Sequence, residues 1–579
     1  MYREIESSKK WDGLVILIFL IITFTITYPL WNSHQVFVAN DWSFHASRVE
    51  EIYQNLKSGH LFTYIATHTF QKTGVANFLF YPTIFLYPWA IFRFLFSPVT
   101  AFYAWFSLFN LITLLLTYYC AKKVTGSPIK AIVAAICYVE MPYHLLVGEG
   151  IFGAFLAWTF IPLVMLGGYQ LFFTDKMNWQ PLAIGLALVS YCHILSVILC
   201  IEILSFLFLI SLFQGKWKNR ERILALLKSI IVCICLTLVI VAPFISDYIG
   251  HNIVSTNVGI NFSMVTSLEN VIFNSFNKYY SQNVGILLIL SALTGFATSS
   301  NKLYRGAWFI GIILLVVTST LFPWETIQKL VPILGVIQFP FRYITYAGIF
   351  LALVVGDAIG EAVEKKQVNN AKRLSIFIAI AVVAVVYPLS ALQNHHWWNN
   401  SSLDQITLKA AGTVPGTQSG YKLSNSNYHE LFSHGVVYGG EDYYPSQARG
   451  NNYADFNLAV EVPKTRSIVD GITYADGKVI KATRISGANK LTYKLKNVKG
   501  KTINLPFLVY KNTYLEVGGK PANYQVSKRG TIEFKATSNQ VVATVGYKAT
   551  ILMKIGMLVT LISWLAVIAS SVLKLRRAS

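Results

Sequence analysis

Asp41, His45 and Arg48 follow the first membrane-length apolar run, Leu14 to Leu30, within the stretch Asp41-Trp42-Ser43-Phe44-His45-Ala46-Ser47-Arg48. A helix from Asp41 to Lys57 sets these three at i, i+4 and i+7, so a carboxylate, an imidazole and a guanidinium share one face. Such a face offers a proton acceptor and an anion binder, the equipment of group transfer at a membrane surface. An amphipathic helix lying on the membrane with its polar side in water has the same spacing. Residues elsewhere in the chain decide between the two readings.

The elements that must position this face belong to a membrane protein. Hydrophobic residues make up 54% of the 579 and charged residues only 13%, which excludes a soluble globular chain and predicts a polytopic one. Arg3, Lys9 and Lys10 precede the first apolar run without an evident small-residue cleavage site, so that run reads as a retained anchor with a cytoplasmic amino terminus. All six cysteines lie in apolar segments, and no disulfide framework is implied. Cys233-Ile234-Cys235 lacks zinc-ligand spacing and reads as packing within a span.

Apolar runs of spanning length or near it fall at about 14–30, 100–120, 125–142, 151–173, 223–246, 283–299, 306–322, 342–360, 373–393 and 550–574. Two stretches are ambiguous: 77–96, broken by Pro82 and Pro88, and the 33 residues from Pro181 to Phe213. Placing Lys122, Lys123, Lys176 and the basic cluster from Lys216 to Arg222 inside requires that 77–96 not cross and that 181–213 form a hairpin near His193. The result is twelve spans with both termini inside. A competing assignment also gives twelve, but it puts Lys122 and Lys123 outside and Glu149 inside. Basic residues at 365–373 and 574–577 then place residues 394–549 outside. Alternating runs there, from Leu491 to Lys496 and from Thr531 to Ala536, punctuated by Gly, Asn and Pro, predict a β-sandwich. From Ala391 to Thr550 there are 19 Lys and Arg against 10 Asp and Glu. That balance suits an anionic envelope polymer or lipid head group, and it also suits an ordinary lysine-rich surface.

The expected architecture is thus a polytopic α-helical protein of about twelve transmembrane helices. It comprises a transmembrane domain at 1–393 with its first external loop at 31–99, an extracytoplasmic mainly-β domain at 394–549, and a last span with a basic tail at 550–579. Further polar groups gather at its outer face. Glu149, in the loop from Tyr143 to Gly150, is expected to begin the next helix, where an acid beside an apolar run either faces a cavity or complements a helix dipole. His193 sits at the hairpin tip, where packing or a helix–helix hydrogen bond is the plainer role. Arg342, in Gln338-Phe339-Pro340-Phe341-Arg342-Tyr343, presents a planar guanidinium suited to phosphate, or one that snorkels in an aromatic belt. Glu441 and Asp442, after Gly439-Gly440, put paired acids on a turn that could cover a membrane cavity as a lid. Glu202 and Asp357 are expected near cytoplasmic ends.

Asp41-x-x-x-His45-x-x-Arg48 followed by Phe80-Tyr81-Pro82 resembles the GT-C architecture. More specifically it is similar to the bacterial 6-pyruvoyl-tetrahydropterin synthase-related and YfhO-type membrane proteins. The likeness runs through Met141-Pro142-Tyr143 to Glu149, Ser190 to His193, Gln338 to Arg342 and Glu441-Asp442-Tyr443-Tyr444-Pro445, and ends near Leu505-Pro506 and Gly518-Gly519-Lys520. Nothing in the chain resembles a soluble pterin enzyme with its zinc-binding histidines. The resemblance implies a transferase using polyprenyl-phosphate-linked sugars at the outer membrane face, with Asp41 as base or metal ligand and Glu149 as a second acid. In some relatives the loop acid binds a divalent metal, whereas here Trp42 follows Asp41, which leaves a metal open.

These readings converge on a multi-pass glycosyltransferase of a bacterial cell membrane. Asp41, His45 and Glu149 are its candidate catalytic residues, and Arg48, Tyr81, His193, Arg342, Glu441 and Asp442 its candidate substrate contacts. Its partners would be a polyprenyl-phosphate sugar, membrane lipid and an anionic envelope acceptor, with no sign of nucleic acid. The rival is a non-enzymatic protein with the same fold, either a lipid-linked-sugar translocation partner or an envelope scaffold.

Overall fold

The computed structural model describes residues 2–38, 40–249, 253, 259–276, 282–364, 421–433, 441–449 and 463–578, with a few single positions between 371 and 389. Among them, seven helices are long and apolar enough to cross a membrane: Trp11–Asn32, Pro98–Thr125, Phe152–Phe172, Ile194–Leu212, Arg220–Tyr248, Pro340–Glu364 and Ile551–Leu573. An eighth span arises if Pro128–Val139 and Pro142–Gly148, which meet at a 54° bend, are counted as one. The chain is a multi-pass membrane protein.

Several expected spans take shorter forms. The 181–213 stretch divides into Gln180–Ser190 and Ile194–Leu212, with His193 in the break between them. The runs at 283–299 and 306–322 become Ile286–Thr298 and Lys302–Val317, below the roughly 20 residues of a full span. The proline-broken block 77–96 gives only the short helices Asn77–Phe80 and Tyr87–Phe92. The run expected at 373–393 and the stretch 394–420 lie outside the described residues.

The chain divides into two compact units. The first comprises residues 1–36, 102–233 and 258–400, and the second residues 37–101, 234–257 and 401–579. The first unit is helical, and small residues set its helix contacts. Gly185 packs so tightly that an added Cβ would lie 2.8 Å from the Val164 amide nitrogen. Gly167 likewise abuts the Leu182 backbone. A charged cluster ties the Pro128–Val139 helix to Ile344–Glu364. Lys130 Nζ reaches Asp357 Oδ1 at 2.8 Å and Glu361 Oε1 at 2.7 Å, while Ser300 donates its amide and hydroxyl to Asp357, both at 2.8 Å.

The second unit carries two five-stranded antiparallel sheets. In spatial order, one runs Gln525–Val526, Thr531–Lys535, Thr502–Leu508, Thr473–Ala475 and Lys478–Ile480, and the other Thr483–Gly487, Lys490–Lys496, Gln540–Tyr547, Thr513–Val517 and Lys520–Pro521. The alternation from Leu491 to Lys496 does what it predicts. Leu491, Tyr493 and Leu495 are buried opposite Val545, Ala543 and Val541, the period-two burial of a strand with one covered face. Asp476-Gly477, both at positive φ, closes the 473–480 hairpin as such a two-residue turn requires.

The sheets also hold the first loop. Asn489, at a hairpin turn, accepts from the Tyr64 amide at 2.6 Å and donates to the Phe62 carbonyl at 2.7 Å. Ser486 Oγ donates to the Thr67 carbonyl at 2.6 Å, and the Leu508 amide to the Thr73 carbonyl at 2.9 Å.

Candidate active site

The helix Trp42–Lys57 begins one residue later than expected, with Asp41 in the cap position and its carbonyl accepting from the His45 amide at 3.0 Å. Trp42, Ala46, Val49 and Ile52 are buried and fix its rotation. Trp42 meets Trp89 edge-on at 5.9 Å. Asp41 stays exposed at the head of the helix.

Arg48 departs from the expected role of phosphate contact. It is fully buried, and its Nη2 donates to the carbonyls of Tyr81 at 2.6 Å and Pro82 at 2.8 Å. Nη1 lies 3.3 Å from His45 Nδ1. The guanidinium carbon sits 4.7 Å from the Tyr81 ring centre and 5.4 Å from that of Phe44. Burial lowers its pKa to about 10, an effect countered by the phenols of Tyr81 and Tyr443, so the side chain is a cation at neutral pH. The proline break that makes 77–96 a poor span turns two carbonyls toward this cation. Tyr81 therefore serves Arg48 through its carbonyl and its ring.

One turn further on, Glu51 is fully buried and collects six contacts from three consecutive residues. Oε1 lies 3.0 Å from the Thr67 amide, 3.0 Å from the Thr67 hydroxyl and 2.9 Å from His68 Nδ1. Oε2 receives the amides of His68 at 2.8 Å and Thr69 at 2.9 Å and the Thr69 hydroxyl at 3.1 Å. Burial pushes this carboxyl up, but the His68 ring and the Thr67 and Thr69 amides outweigh it and hold the pKa below its ordinary value. Sequence reasoning passed over Glu51, because its partners reveal themselves only when the loop closes.

The turn 441–445 covers the same wall. The Tyr443 ring stacks between Phe44 at 6.3 Å and Phe80 at 6.2 Å, and its carbonyl accepts from Tyr510 Oη at 2.7 Å. Burial raises the Tyr443 phenol pKa well above the ordinary range, and Tyr81, Asp442 and Asp41 add to the effect. Asp442 pairs with Arg449 at 3.3 Å. Burial raises its pKa and Arg449 opposes the shift. The Glu441 side chain and Gly439-Gly440 lie outside the described residues. Asp41, His45, Arg48, Tyr81 and the 441–445 turn are thus brought together in the second unit, with an exposed carboxylate beside a closed aromatic wall that carries one buried cation.

Glu149, His193 and Arg342 belong to the first unit. Glu149 follows the short helix Pro142–Gly148, is buried, and has Tyr103 as an electrostatic neighbour. His193 Nδ1 lies 3.0 Å from Ser196 Oγ, and the ring feels the Arg342 charge. Arg342 Nη1 donates to the Ile337 carbonyl at 2.6 Å, and the guanidinium lies 4.9 Å from the Phe339 ring centre. Glu202 was expected near a cytoplasmic end. It lies instead midway along Ile194–Leu212 and accepts from Tyr343 Oη at 2.6 Å, beside the start of Ile344–Glu364. Among the described residues, no three His, Cys, Asp or Glu side chains converge as a metal site.

A family model described as a 6-pyruvoyl-tetrahydropterin synthase related domain, a membrane protein, matches residues 78–394, more than half of the chain. No curated protein matches the sequence. Among solved structures, the chain is similar to the arabinofuranosyltransferase AftD from Mycobacteria at 15% identity and a TM-score of 0.40, over 66% of this chain and 26% of that one. It is similar to ArnT from Cupriavidus metallidurans bound to undecaprenyl phosphate at 12% identity and 0.40, over 72% and 68%. It is also similar to the archaeal oligosaccharyltransferase AglB from Archaeoglobus fulgidus, in complex with an inhibitory peptide and a dolichol-phosphate, at 13% and 0.38, over 76% and 60%. The match spans only about a quarter of the AftD chain. At these scores the overlaps carry no argument about what the chain binds or does.

Proposed function

The chain belongs to the family of 6-pyruvoyl-tetrahydropterin synthase-related membrane proteins, and we propose that it is a GT-C-type glycosyltransferase moving a sugar from a polyprenyl-phosphate donor to a cell-envelope acceptor on the outer face. The observation that carries this reading is the exposed Asp41 carboxylate at the head of a helix whose next two turns are locked, by Arg48 on two carbonyls and by Glu51 on residues 67–69. A proton acceptor is useful only where its position is fixed.

In the proposed step an acceptor hydroxyl oxygen attacks the anomeric carbon, its proton passes to Asp41, and the bond from that carbon to the phosphate oxygen breaks with the electron pair leaving on polyprenyl phosphate. General-base work of this kind is worth ~10² to 10⁴ in rate. Arg48 acts as a positioning residue. We assign the leaving phosphate to Arg342, whose planar guanidinium suits that group, keep His193 as a further substrate contact, and keep Glu149 as a second catalytic acid. His45 orients the Asp41 end of the helix, and Asp442 holds the covering turn through Arg449. The basic external segment suits an anionic envelope polymer as acceptor. Both termini are assigned to the cytoplasm by the Lys and Arg bias.

The test compares envelope sugar content in cells carrying the wild type, a deletion, or Asp41→Asn at matched membrane level. Loss of one sugar in both altered strains, by about 10² or more in transfer rate for Asp41→Asn, supports the transferase and identifies the donor. Loss in the deletion alone favours the scaffold or translocation reading, in which Asp41 does no chemistry.

A further inference from the structure

A second carboxylate in the same unit is built for a ligand. Asp247 lies in the π-helical turn Phe244–Tyr248 that follows the Arg220–Pro243 helix, a helix irregularity often found where a side chain is aimed at a function. It is only 1% exposed. Its Oδ2 accepts from Ser246 Oγ at 2.6 Å and from Tyr547 Oη at 2.9 Å, whereas Oδ1 has no hydrogen-bond partner among the described residues. A buried carboxylate oxygen left unmatched costs stability comparable to a lost charged hydrogen bond, so the fold bears an expense that a donor from outside would remove.

Asp247 lines the wall of a half-open cavity of about 440 Å³, together with Tyr510, Tyr524, Gln447, Lys511 and Val526. The composition of this wall selects among ligands. The carboxylate accepts hydroxyl protons, while the Gln447 amide and the Lys511 ammonium donate to hydroxyl oxygens. The two tyrosines bring apolar rings to the wall, and their own hydroxyls are already committed to the Tyr443 and Thr513 carbonyls. A metal ion would find one carboxylate and an ammonium in the same wall. An aliphatic chain would leave the carboxylate unmatched. A saccharide ring satisfies every group.

We propose that this cavity is a saccharide subsite, in which Asp247 accepts hydroxyls from one sugar of the acceptor glycan. The subsite rests on the transferase reading for the identity of its ligand as an acceptor. Its position gives it a consequence for that reaction, because the segment 441–449 serves both places. Tyr443 stacks on Phe44 and Phe80 of the Asp41 wall, while Pro445, Ser446 and Gln447 line the cavity, and Ile253, which also lines it, pairs with Pro445 in an isolated antiparallel bridge. A bound sugar would fix the segment that covers the Asp41 helix.

The test is made without donor. Full-length protein in lipid nanodiscs is titrated with fluorescently end-labelled oligosaccharides of three to six sugars, released by mild acid from the envelope of cells lacking the protein, and binding is read as polarisation. Wild type is expected to bind, Asp247→Asn to bind at least tenfold more weakly, and Val526→Trp, which fills the cavity from a half-exposed edge-strand position, to lose binding. Melting curves identify any variant that fails to fold, and Val526→Trp then decides. Equal binding by wild type and either folded variant, or no binding by wild type, overturns the subsite. Binding without sugar transfer in the cell assay keeps the subsite and sinks the transferase, whereas transfer without binding does the reverse.

Discussion

Arg48 and Lys130 are both buried cations, one in each unit, and they are neutralised by opposite means. Lys130 meets two carboxylates, Asp357 and Glu361. Arg48 meets two backbone carbonyls, an imidazole nitrogen and aromatic faces. Carboxylates cancel a charge outright, and the cluster around Lys130 carries no net positive field. Carbonyl dipoles and ring quadrupoles stabilise a cation while leaving its net charge in place. The first arrangement clamps two helices, and the second keeps a positive centre about two helical turns from the exposed Asp41. The Lys130 charge is cancelled within a helix clamp, whereas the dipole-held Arg48 keeps its net charge.

The largest effect expected from this contrast is at Lys130. Lys130→Met leaves Asp357 buried, with Ser300 as its remaining donor, and should destabilise the protein by about 3–5 kcal/mol, read as a lowered melting temperature in nanodiscs and reduced membrane accumulation. Replacing Lys130 by Met and Asp357 by Leu together should recover most of that loss, since the penalty comes from the orphaned charge. If the double variant is as unstable as the single one, the cluster does more than clamp.

Much of this was legible before any coordinates. The apolar runs located the long helices, the alternation from Leu491 to Lys496 located a strand, and i, i+4, i+7 spacing put Asp41, His45 and Arg48 on one helix. What failed was non-local. A hydropathy run does not say where a helix starts or stops: Lys302–Val317 starts where Asn301 caps the Leu303 amide at 2.9 Å, before the apolar run at 306–322 begins, and ends before that run does. Pro82 announced a break, but nothing in the sequence says that the break turns carbonyls toward Arg48. Glu51 answers to residues 67–69 and Tyr443 to residues hundreds of positions earlier, and no periodicity encodes such partners. The expectation that Arg48 is a phosphate ligand came from its residue type, and residue type does not report burial.

A middle-sized effect should separate the shape of the Arg48 site from its charge. Arg48→Lys keeps the cation but lacks the planar fork that serves two carbonyls and lies against rings. One or two of those carbonyl contacts should be lost, at about 1–3 kcal/mol in stability. Under the proposed function, sugar transfer should fall further than that stability loss explains, with kcat reduced and acceptor KM little changed, because the Asp41 helix is no longer fixed. Transfer that follows stability alone would reduce Arg48 to the same structural role as Lys130.

The smallest effect concerns another buried charge, Glu51, a carboxylate held by amides and hydroxyls in addition to the His68 ring. Its folded pKa lies below the ordinary carboxylate value of 4.5, so the folded state binds the proton more weakly than the unfolded chain does. The stabilisation is fully present above the unfolded value and is lost as pH falls through the folded one. Melting temperature should therefore be insensitive to Glu51 from neutral pH down to about 5 and decline at lower pH, by a few degrees attributable to this group. Glu51→Gln should be less stable at neutral pH, since its amide nitrogen confronts donors, and its acid decline should be shallower than wild type. An unchanged acid limb in Glu51→Gln would mean that other carboxylates set the acid sensitivity. The loop anchor would then depend on hydrogen-bond geometry and not on charge.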